Sequence, residues 1–416
     1  MQPMVYSREQ HDISRKHIDP DALSVLQRLS RSGYQAYLVG GGVRDLLLGL
    51  QPKDFDVVTD AHPMEIKKVF RNCRIIGRRF RLAHVFFGPK IIEVSTFRSK
   101  AEPSLAQGAP AAASHENTFG TAEQDAWRRD FTINALFYNI ADFSILDYVG
   151  GVKDLRARRV ASIGDPEERF PEDPVRMIRA LRMAARLEFQ IDPAIIAAIQ
   201  HRGPELSRCA PARLFEELGK SALCKASAAA IRSLHQHRLL ALLLPELDRS
   251  MFQIESSVEA ASRYWTYLTA LDEYPARERL TPPVWMAVLF ALPLERALQS
   301  AGRQNPAELL QSLLDQSLIG LPIPRRVRDR LHQILLAQGR LLRLPGSGRG
   351  APVHFIQKPY FEDALTFFEI RAAATGGGLD QLEFWHHWRE RVPPARPERA
   401  PKRRRRRRGG DRPAQS

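Results

Sequence analysis

Cysteine is scarce: Cys73, Cys209 and Cys224 are the three in 416 residues. They lie far apart, with no C-x-x-C and no Cys/His pair at zinc spacing, which excludes a disulfide framework and a structural zinc site. The expectation is three buried apolar thiols in a reducing compartment. Long hydrophobic runs are missing too. The longest nearly apolar stretch, Val284 to Leu294, is too short to span a bilayer and contains Pro293. The N-terminal MQPMVYSREQHDISRKH lacks the apolar core of an export signal. No membrane insertion is expected, and the chain reads as soluble and cytoplasmic. His11-Asp12 has no second histidine cluster to support a metal-dependent phosphohydrolase, and no internal repeat of fixed period stands out.

Acids are in short supply. Lys and Arg number 62 against 47 Asp and Glu, a net charge of +15 that predicts a polyanionic partner. The excess is uneven: eleven Lys/Arg against two acids from Arg391 to Ser416 give +9, leaving +6 for everything before it. Lys402 and the run Arg403 to Arg408 suit salt-dependent contact with a phosphate backbone; a solubilising tail is the bland alternative. The folded part must then bind nucleic acid through local patches.

What the chain does have is concentrated near its start, in AYLVGGGVRDLLLGLQPKDFDVVTD from Ala36 to Asp60. An apolar strand runs into Gly40-Gly41-Gly42, then a short helix, a loop with Pro52, and a strand opening on Asp54 and Asp56. Side chains on a strand alternate, so D-x-D turns both carboxylates to one face with Cα atoms about 6.6 Å apart. Two such carboxylates can share hard divalent cations, and a glycine turn lets backbone amides approach a phosphate. G-x-G-x-x-G fails, because position 45 is Asp, and there is no P-loop lysine, so a dinucleotide site is disfavoured.

Three further groups carry chemistry. Glu93, in the apolar strand IIEVSTF, needs a partner, either an arginine or a place near the metals. Arg128-Arg129-Asp130 opens a segment reaching Asn134; the paired arginines suit triphosphate oxygens, and Asp130 and Asn134 lie one helical turn apart. A helix cap by Asp130 is the bland alternative. Glu172-Asp173-Pro174-Val175-Arg176 sets an acceptor and a forked donor three apart on a helix that Pro174 can start, fit for a base edge or for an i,i+3 salt bridge. Arg179, Arg182 and Arg186 continue that helix, toward RNA or solvent.

These segments resemble the polymerase-β-like nucleotidyltransferases, in the branch of bacterial poly(A) polymerases and CCA-adding tRNA nucleotidyltransferases. The resemblance runs from about Gly33 to Leu187 through GG…RD…G…D-x-D, R-R-D-F-T-I-N-A-L and E-D-x-x-R. The segment Ile75 to Val85, with Arg78, Arg79 and Arg81 around Phe80, looks like the signature that separates poly(A) polymerases from CCA-adding enzymes. The resemblance implies an α+β fold: a nucleotidyltransferase head with a small mixed sheet, then an all-α neck and RNA-binding region and a disordered basic tail. The expected divisions are a polar leader (1–20), the head (21–150, with a mobile loop at 99–118), a helical neck (151–245), a helical C-terminal RNA-binding region (246–392) and the tail (393–416).

The implied activity is template-independent transfer of AMP from ATP to RNA 3′ ends, promoting RNA turnover. CCA addition to tRNA and a non-catalytic RNA-binding adaptor are the rival readings. Asp54 and Asp56 would hold Mg²⁺, with Mn²⁺ as an alternative ion, and Asp130 would join them as a catalytic carboxylate or fix the nucleotide; Glu93 is a further candidate. Gly41, Gly42, Arg44, Arg128, Arg129, Asn134, Asp173 and Arg176 would bind the nucleotide. Arg78, Arg79, Arg81, Arg179 and Arg403, Arg404, Arg405 and Arg406 would bind RNA. RNA-decay or RNA-chaperone proteins are the implied protein partners.

Overall fold

The computed structural model describes residues 2–77, 81–99, 119–255, 257–300, 305–343 and 353–392. The expectations placed on Arg78 and Arg79, on all but the first residue of the 99–118 loop, and on Arg403 to Arg406 lie outside these residues.

The head is built on one mixed sheet of eight strands. In chain order they are β1 (Met4–Tyr6), β2 (Ala36–Val39), β3 (Asp56–Thr59), β4 (Cys73–Ile76), β5 (Leu82–Phe87), β6 (Lys90–Thr96), β7 (Leu136–Tyr138) and β8 (Ile145–Asp147), in spatial order β1-β8-β7-β2-β3-β6-β5-β4. Only β3 and β6 pair in parallel; their neighbours are antiparallel. The sheet is larger than expected because β1, β4, β7 and β8 come from segments not read as strands. Residues 1–20, taken as a polar leader, are drawn into the head instead. Met4–Tyr6 pairs with β8, Ile13 and Ile18 are buried, and His11 Nε2 lies 2.8 Å from the Phe143 carbonyl oxygen.

Helices cover both faces. α1 (Pro20–Arg31) starts at Asp19, whose carboxylate accepts from the Asp21 and Ala22 amides, and it buries Ala22, Val25, Leu26 and Leu29 at helical spacing. α2 (Gly41–Leu47) and α3 (Pro63–Val69) join it. Leu38 and Val57 face the main core, while Val39 and Val58 face a smaller one with Phe97, Phe137 and α4 (Ala122–Trp127). Strand alternation therefore puts Asp56, paired with Val39 and two residues before Val58, on the α4 side.

The chain leaves the sheet through α5 (Gly151–Arg156), whose first amides are gathered by Asp147. That carboxylate accepts from Val149, Gly150, Gly151 and Val152 at 2.9–3.1 Å. A Cβ on Gly151 would lie 2.2 Å from the Thr132 carbonyl oxygen, so glycine is required there. A two-stranded parallel ribbon, β9 (Arg159–Val160) with β10 (Gln190–Ile191), brackets α6 (Pro166–Glu172) and α7 (Val175–Leu187).

Beyond it come α8 (Pro193–Arg202), α9 (Pro211–Ala222), α10 (Ser227–Gln236), α11 (Leu239–Leu243), α12 (Pro245–Glu255), α13 (Val258–Glu273) and α14 (Pro282–Ser300). The last helices are α15 (Pro306–Ser317), α16 (Arg325–Leu341), α17 (Val353–Ile356), α18 (Phe361–Thr375) and α19 (Leu379–Arg391). The main apolar core is continuous from Ile13 to Trp385, whose indole donates to the Leu341 carbonyl. Among the described residues no helix is long and apolar enough to cross a membrane.

Candidate active site

The sheet register builds the acidic floor. Val57 of β3 pairs with Val94 of β6, so Asp56 and Glu93, one residue earlier on each parallel strand, stand side by side on the α4 face. Asp54 precedes the strand and lies outside it, yet the alternation persists: Asp54 and Asp56 are exposed and Phe55 between them is buried. Crowding by protein atoms and then the charge of Glu93 push the Asp56 pKa up to about 6; Arg129 pulls it down and Asp54 adds a further push. The cleft is open, so solvent screens part of this repulsion. Glu93 also meets His84 at 3.5 Å across the β5–β6 ladder.

Gly40 is the glycine nearest this floor. Its φ of +74° is one that side chains rarely adopt, and a Cβ there would lie 3.5 Å from Arg129 Nη1 and 3.9 Å from Asp56 Oδ2. Gly42 instead lets α2 lie against the D-x-D segment, 3.3 Å from the Asp54 carbonyl oxygen at its Cβ position, and Gly41 packs against the Arg44 guanidinium.

A cavity of about 210 Å³ above the floor is lined by Asp56, Glu93, Ser95, Arg98, Arg128 and Arg129, among others. Among the described residues no three acidic, histidine or cysteine side chains are gathered tightly enough to enclose a metal ion. The donors that do meet there, the neighbouring carboxylates of Asp56 and Glu93, are oxygen ligands of the type hard divalent ions prefer. The raised pKa of Asp56 is the matching electrostatic sign, since crowded carboxylates are relieved by a cation.

The arginine wall is held by a residue that sequence reasoning missed. Asp125, with a fully buried side chain, grips Arg128 through one oxygen (2.8 Å to Nε, 2.7 Å to Nη2) and Arg129 through the other (3.1 and 2.8 Å). Burial works to raise its pKa, but the two guanidiniums outweigh that and hold it below the usual carboxylate range. The signal was present: Asp125 stands three and four residues before the arginines, the spacing of a helix face. Arg169, also unmarked, donates to the carbonyls of both arginines at 3.0 and 2.9 Å.

A second cavity, of about 260 Å³, adjoins the first and shares Arg128 and Arg129 with it. Asp130 lies here rather than on the acidic floor. Its Oδ2 accepts from Arg179 Nε at 2.8 Å and its Oδ1 from the Phe131 amide and Asn134 Nδ2. Burial favours its protonated form, but Arg179 and these hydrogen bonds prevail and keep the pKa below its ordinary value. Asp130 caps no helix; the short turn after it is Thr132–Asn134, with Phe131 at its cap position.

Asp173 and Arg176 line the same cavity but do not pair with each other. Asp173 precedes α7, and its Oδ2 accepts from Arg213 of α9 at 3.0 Å; its buried Oδ1 has no hydrogen-bond partner. Arg176 Nη1 donates to the Arg169 carbonyl at 3.0 Å and meets Glu172 at 3.4 Å. The i,i+3 salt bridge is therefore absent, and Arg213 is a third residue missed, because its segment lies 40 positions further on.

Several expected contacts point elsewhere. Arg44 is buried and engaged within the fold, with Nε and Nη2 on Asp45 and Nη1 on Asn134 Oδ1 at 2.6 Å. Asn134 is likewise consumed, donating to Asp130 and accepting from Arg44. Arg179 is tied to Asp130 and Glu217, Arg182 to Glu217, and Arg186 to Asp45 at 2.8 Å, so this stripe of α7 is paired with acids of the fold, while the side chains of Arg179 and Arg186 stay 32% and 34% exposed. Arg81 is exposed at the start of β5, with its carbonyl accepting from Arg98.

Known proteins resemble this chain along most of its length. The sequence model described as "Poly A polymerase head domain" matches residues 36–161; "Probable RNA and SrmB- binding site of polymerase A" matches 188–251, and "Polymerase A arginine-rich C-terminus" matches 304–414. The chain is 40% identical to poly(A) polymerase I of Salmonella typhi, over 94% of this chain and 86% of that protein. Poly(A) polymerase I of Haemophilus influenzae is 38% identical over 92% and 87%. A CCA-adding enzyme of Bacillus licheniformis is 37% identical, over 55% of this chain and 56% of that enzyme. The Bacillus stearothermophilus CCA-adding enzyme in complex with CTP superposes with a TM-score of 0.60 at 27% identity, covering 89% of this chain and 82% of that one. Because the likeness to poly(A) polymerase I spans nearly the whole of both chains, while that CCA-adding enzyme is matched over about half, the chain belongs to the bacterial poly(A) polymerase I family of nucleotidyltransferases and is a polynucleotide adenylyltransferase.

Proposed function

We propose that the protein extends RNA 3′ ends without a template, taking AMP from ATP and releasing pyrophosphate, with the two adjoining cavities dividing the work. The observation that carries this is the pair of shared arginines: Arg128 and Arg129 line both the acidic cavity and the cavity of Asp173 and Arg176. A nucleotide lying across them places its phosphates at the acidic floor and its base beside Asp173.

Asp54 and Asp56 would hold Mg²⁺, with Glu93 the neighbouring third carboxylate. Two such ions, when bound, lower the pKa of the RNA 3′-hydroxyl and neutralise charge on the triphosphate. The hydroxyl oxygen forms a bond to the α-phosphorus, the bond from that phosphorus to the α–β bridging oxygen breaks, and pyrophosphate leaves with the electron pair. The hydroxyl proton passes to water. Arg128 and Arg129, fixed by Asp125, offer forked donors to phosphate oxygens at no cost of reorganisation. The unpartnered Oδ1 of Asp173 is an acceptor for an exocyclic amine, and Arg176 stands beside it.

The region at 188–251 is where RNA and a protein partner of the RNA-decay or RNA-chaperone kind would dock; tailing in the cytoplasm would then feed RNA turnover. Purified protein, Mg²⁺, a generic RNA and a CCA-less tRNA, offered each nucleoside triphosphate in turn, test the reading. Long A-tails on the generic RNA are expected. A stop after CCA, or no extension at all, overturns it.

A further inference from the structure

Arg98 lies just past the end of β6 and lines only the acidic cavity, whereas Arg128 and Arg129 line both cavities. Its backbone is fixed. The Arg98 amide donates to Asp125 Oδ1 at 3.3 Å, the oxygen that also grips Arg128, and the Phe97 carbonyl before it accepts from the Gly120 amide at 2.9 Å. Arg98 Nη2 donates to the Arg81 carbonyl at 3.4 Å, and the Arg81 residue is itself exposed. Burial and then the charge of Arg128 lower the Arg98 pKa, with Asp125 pulling it up. Two guanidiniums held within reach of each other's charge repel, and a phosphate that bridges them relieves the repulsion.

The order of the strands says which phosphate. Triphosphate and base belong to the β2 side. Gly40 follows β2, its Cβ position lies 3.5 Å from Arg129 Nη1 and 4.0 Å from the Asn134 carbonyl oxygen, and Asn134 donates to Asp130 of the second cavity. Next across the sheet comes β3 with Asp56, then β6 with Glu93, then β5, where Leu82 lines the acidic cavity and the preceding Arg81 carbonyl holds Arg98. β2 and β5 are three strand spacings apart, about 14 Å. Arg98 is therefore across the carboxylates from the glycine turn. In-line transfer puts the attacking hydroxyl and the leaving pyrophosphate on opposite sides of the α-phosphorus, so a cation across the floor from the triphosphate stands on the acceptor's side.

We propose that Arg98 binds the phosphodiester next to the RNA 3′ end, on the 5′ side of the terminal nucleotide, and so holds the 3′-hydroxyl over the acidic floor. A phosphate contact positions a strand without reading its sequence, which suits an enzyme that meets a new end after every addition. This rests on the reading that RNA is the acceptor, but primer binding is measured without ATP, so the two fail separately.

The test titrates the full chain, wild type and Arg98→Ala, with oligo(A) whose last linkage is either the natural phosphodiester or an uncharged methylphosphonate. Arg98→Ala weakens binding of the natural primer roughly 10- to 100-fold, the span of a hydrogen bond to a charged group. Its slope of log affinity against log salt falls by about 0.7, the share of one phosphate on a single strand. The neutral linkage costs the wild type a similar factor and costs Arg98→Ala almost nothing more, whereas neutralising a linkage further from the 3′ end weakens both proteins alike. The KM for ATP stays within about twofold, since the triphosphate lies across the floor. A wild type indifferent to the neutral linkage overturns the proposal, as does an Arg98→Ala defect that is equally large on the neutral primer. A raised KM for ATP at unchanged primer affinity overturns it too, by moving Arg98 to the triphosphate. Should Arg98→Ala fail to fold, Arg98→Gln and the wild-type response to the neutral linkage decide the matter. Wild-type protein that binds primer through this linkage and Arg98 but adds no AMP would sink the proposed function and leave the contact standing.

Discussion

The two cavities that share Arg128 and Arg129 are charged in opposite manners. On the acidic floor, like charges are crowded and only partly compensated, with Asp56 pushed up to about 6 by its surroundings and by Glu93 although Arg129 pulls the other way. Next door, Asp130, Arg179, Glu217 and Arg182 satisfy one another, and Asp130 is held below its ordinary pKa. The first gathers repulsion that a cation would relieve; the second is an ion-paired scaffold in which one buried acceptor, Asp173 Oδ1, has no hydrogen-bond partner. Carboxylates of the same chemical type therefore differ in role, and their neighbours decide which.

Substitution on each side breaks the comparison in different currencies. Asp54→Ala and Asp56→Ala should lower AMP addition by at least roughly 10²–10³-fold, as loss of transition-state charge stabilisation does, with fold and RNA binding nearly intact. Steady-state rates with a circular-dichroism melt check this, and retained activity would remove the metal-site assignment. Asp130→Ala should register first as instability. It strips a buried partner from Arg179, at a cost of about 3 kcal/mol in a denaturant titration. A variant losing activity at unchanged stability would return Asp130 to the chemistry.

How far the sequence could be read follows the range of the interaction. The face shared by Asp54 and Asp56 is a property of two residues on one chain segment, and it was legible. The neighbourhood of Glu93 depends on a parallel register between β3 and β6, which no local pattern prescribes. Spacing placed Arg44 beside the glycine turn but could not tell which side of a two-turn helix would be buried against Asn134. Arg179, Arg182 and Arg186 read as a basic stripe because their acids, Asp130, Glu217 and Asp45, arrive from distant segments. The edge strands β1 and β4 are three and four residues long, too short for a period to show.

The unpartnered acceptor sharpens the contrast within the second cavity. Asp173→Asn keeps the shape and turns part of the acceptor into a donor, so preference for ATP over UTP, whose base has a carbonyl in place of the exocyclic amine, should fall by roughly tenfold, the loss of about one hydrogen bond to a charged group. Arg213→Ala frees Asp173 Oδ2 and should blur the same preference less, since Oδ1 remains. Ratios of kcat/KM for the two triphosphates check both. Equal discrimination in wild type and Asp173→Asn would leave base choice to other groups.

The smallest effect concerns stability and its sign. Asp56 binds a proton more readily folded, at about 6, than it would in the unfolded chain, where a carboxylate titrates near about 4. Between these values the native state holds more protons, so the contribution of Asp56 to stability declines as pH rises and is fully unfavourable above about 6. Metal-free Asp56→Asn should therefore melt higher than wild type at pH 8, by about 1–2 °C because water reaches the cleft and screens the repulsion. The gap should close as pH falls toward 4. Mg²⁺ should close it at pH 8 by stabilising the wild type alone, whereas a gap that ignores both pH and Mg²⁺ would mean that the carboxylates of the acidic floor do not repel one another.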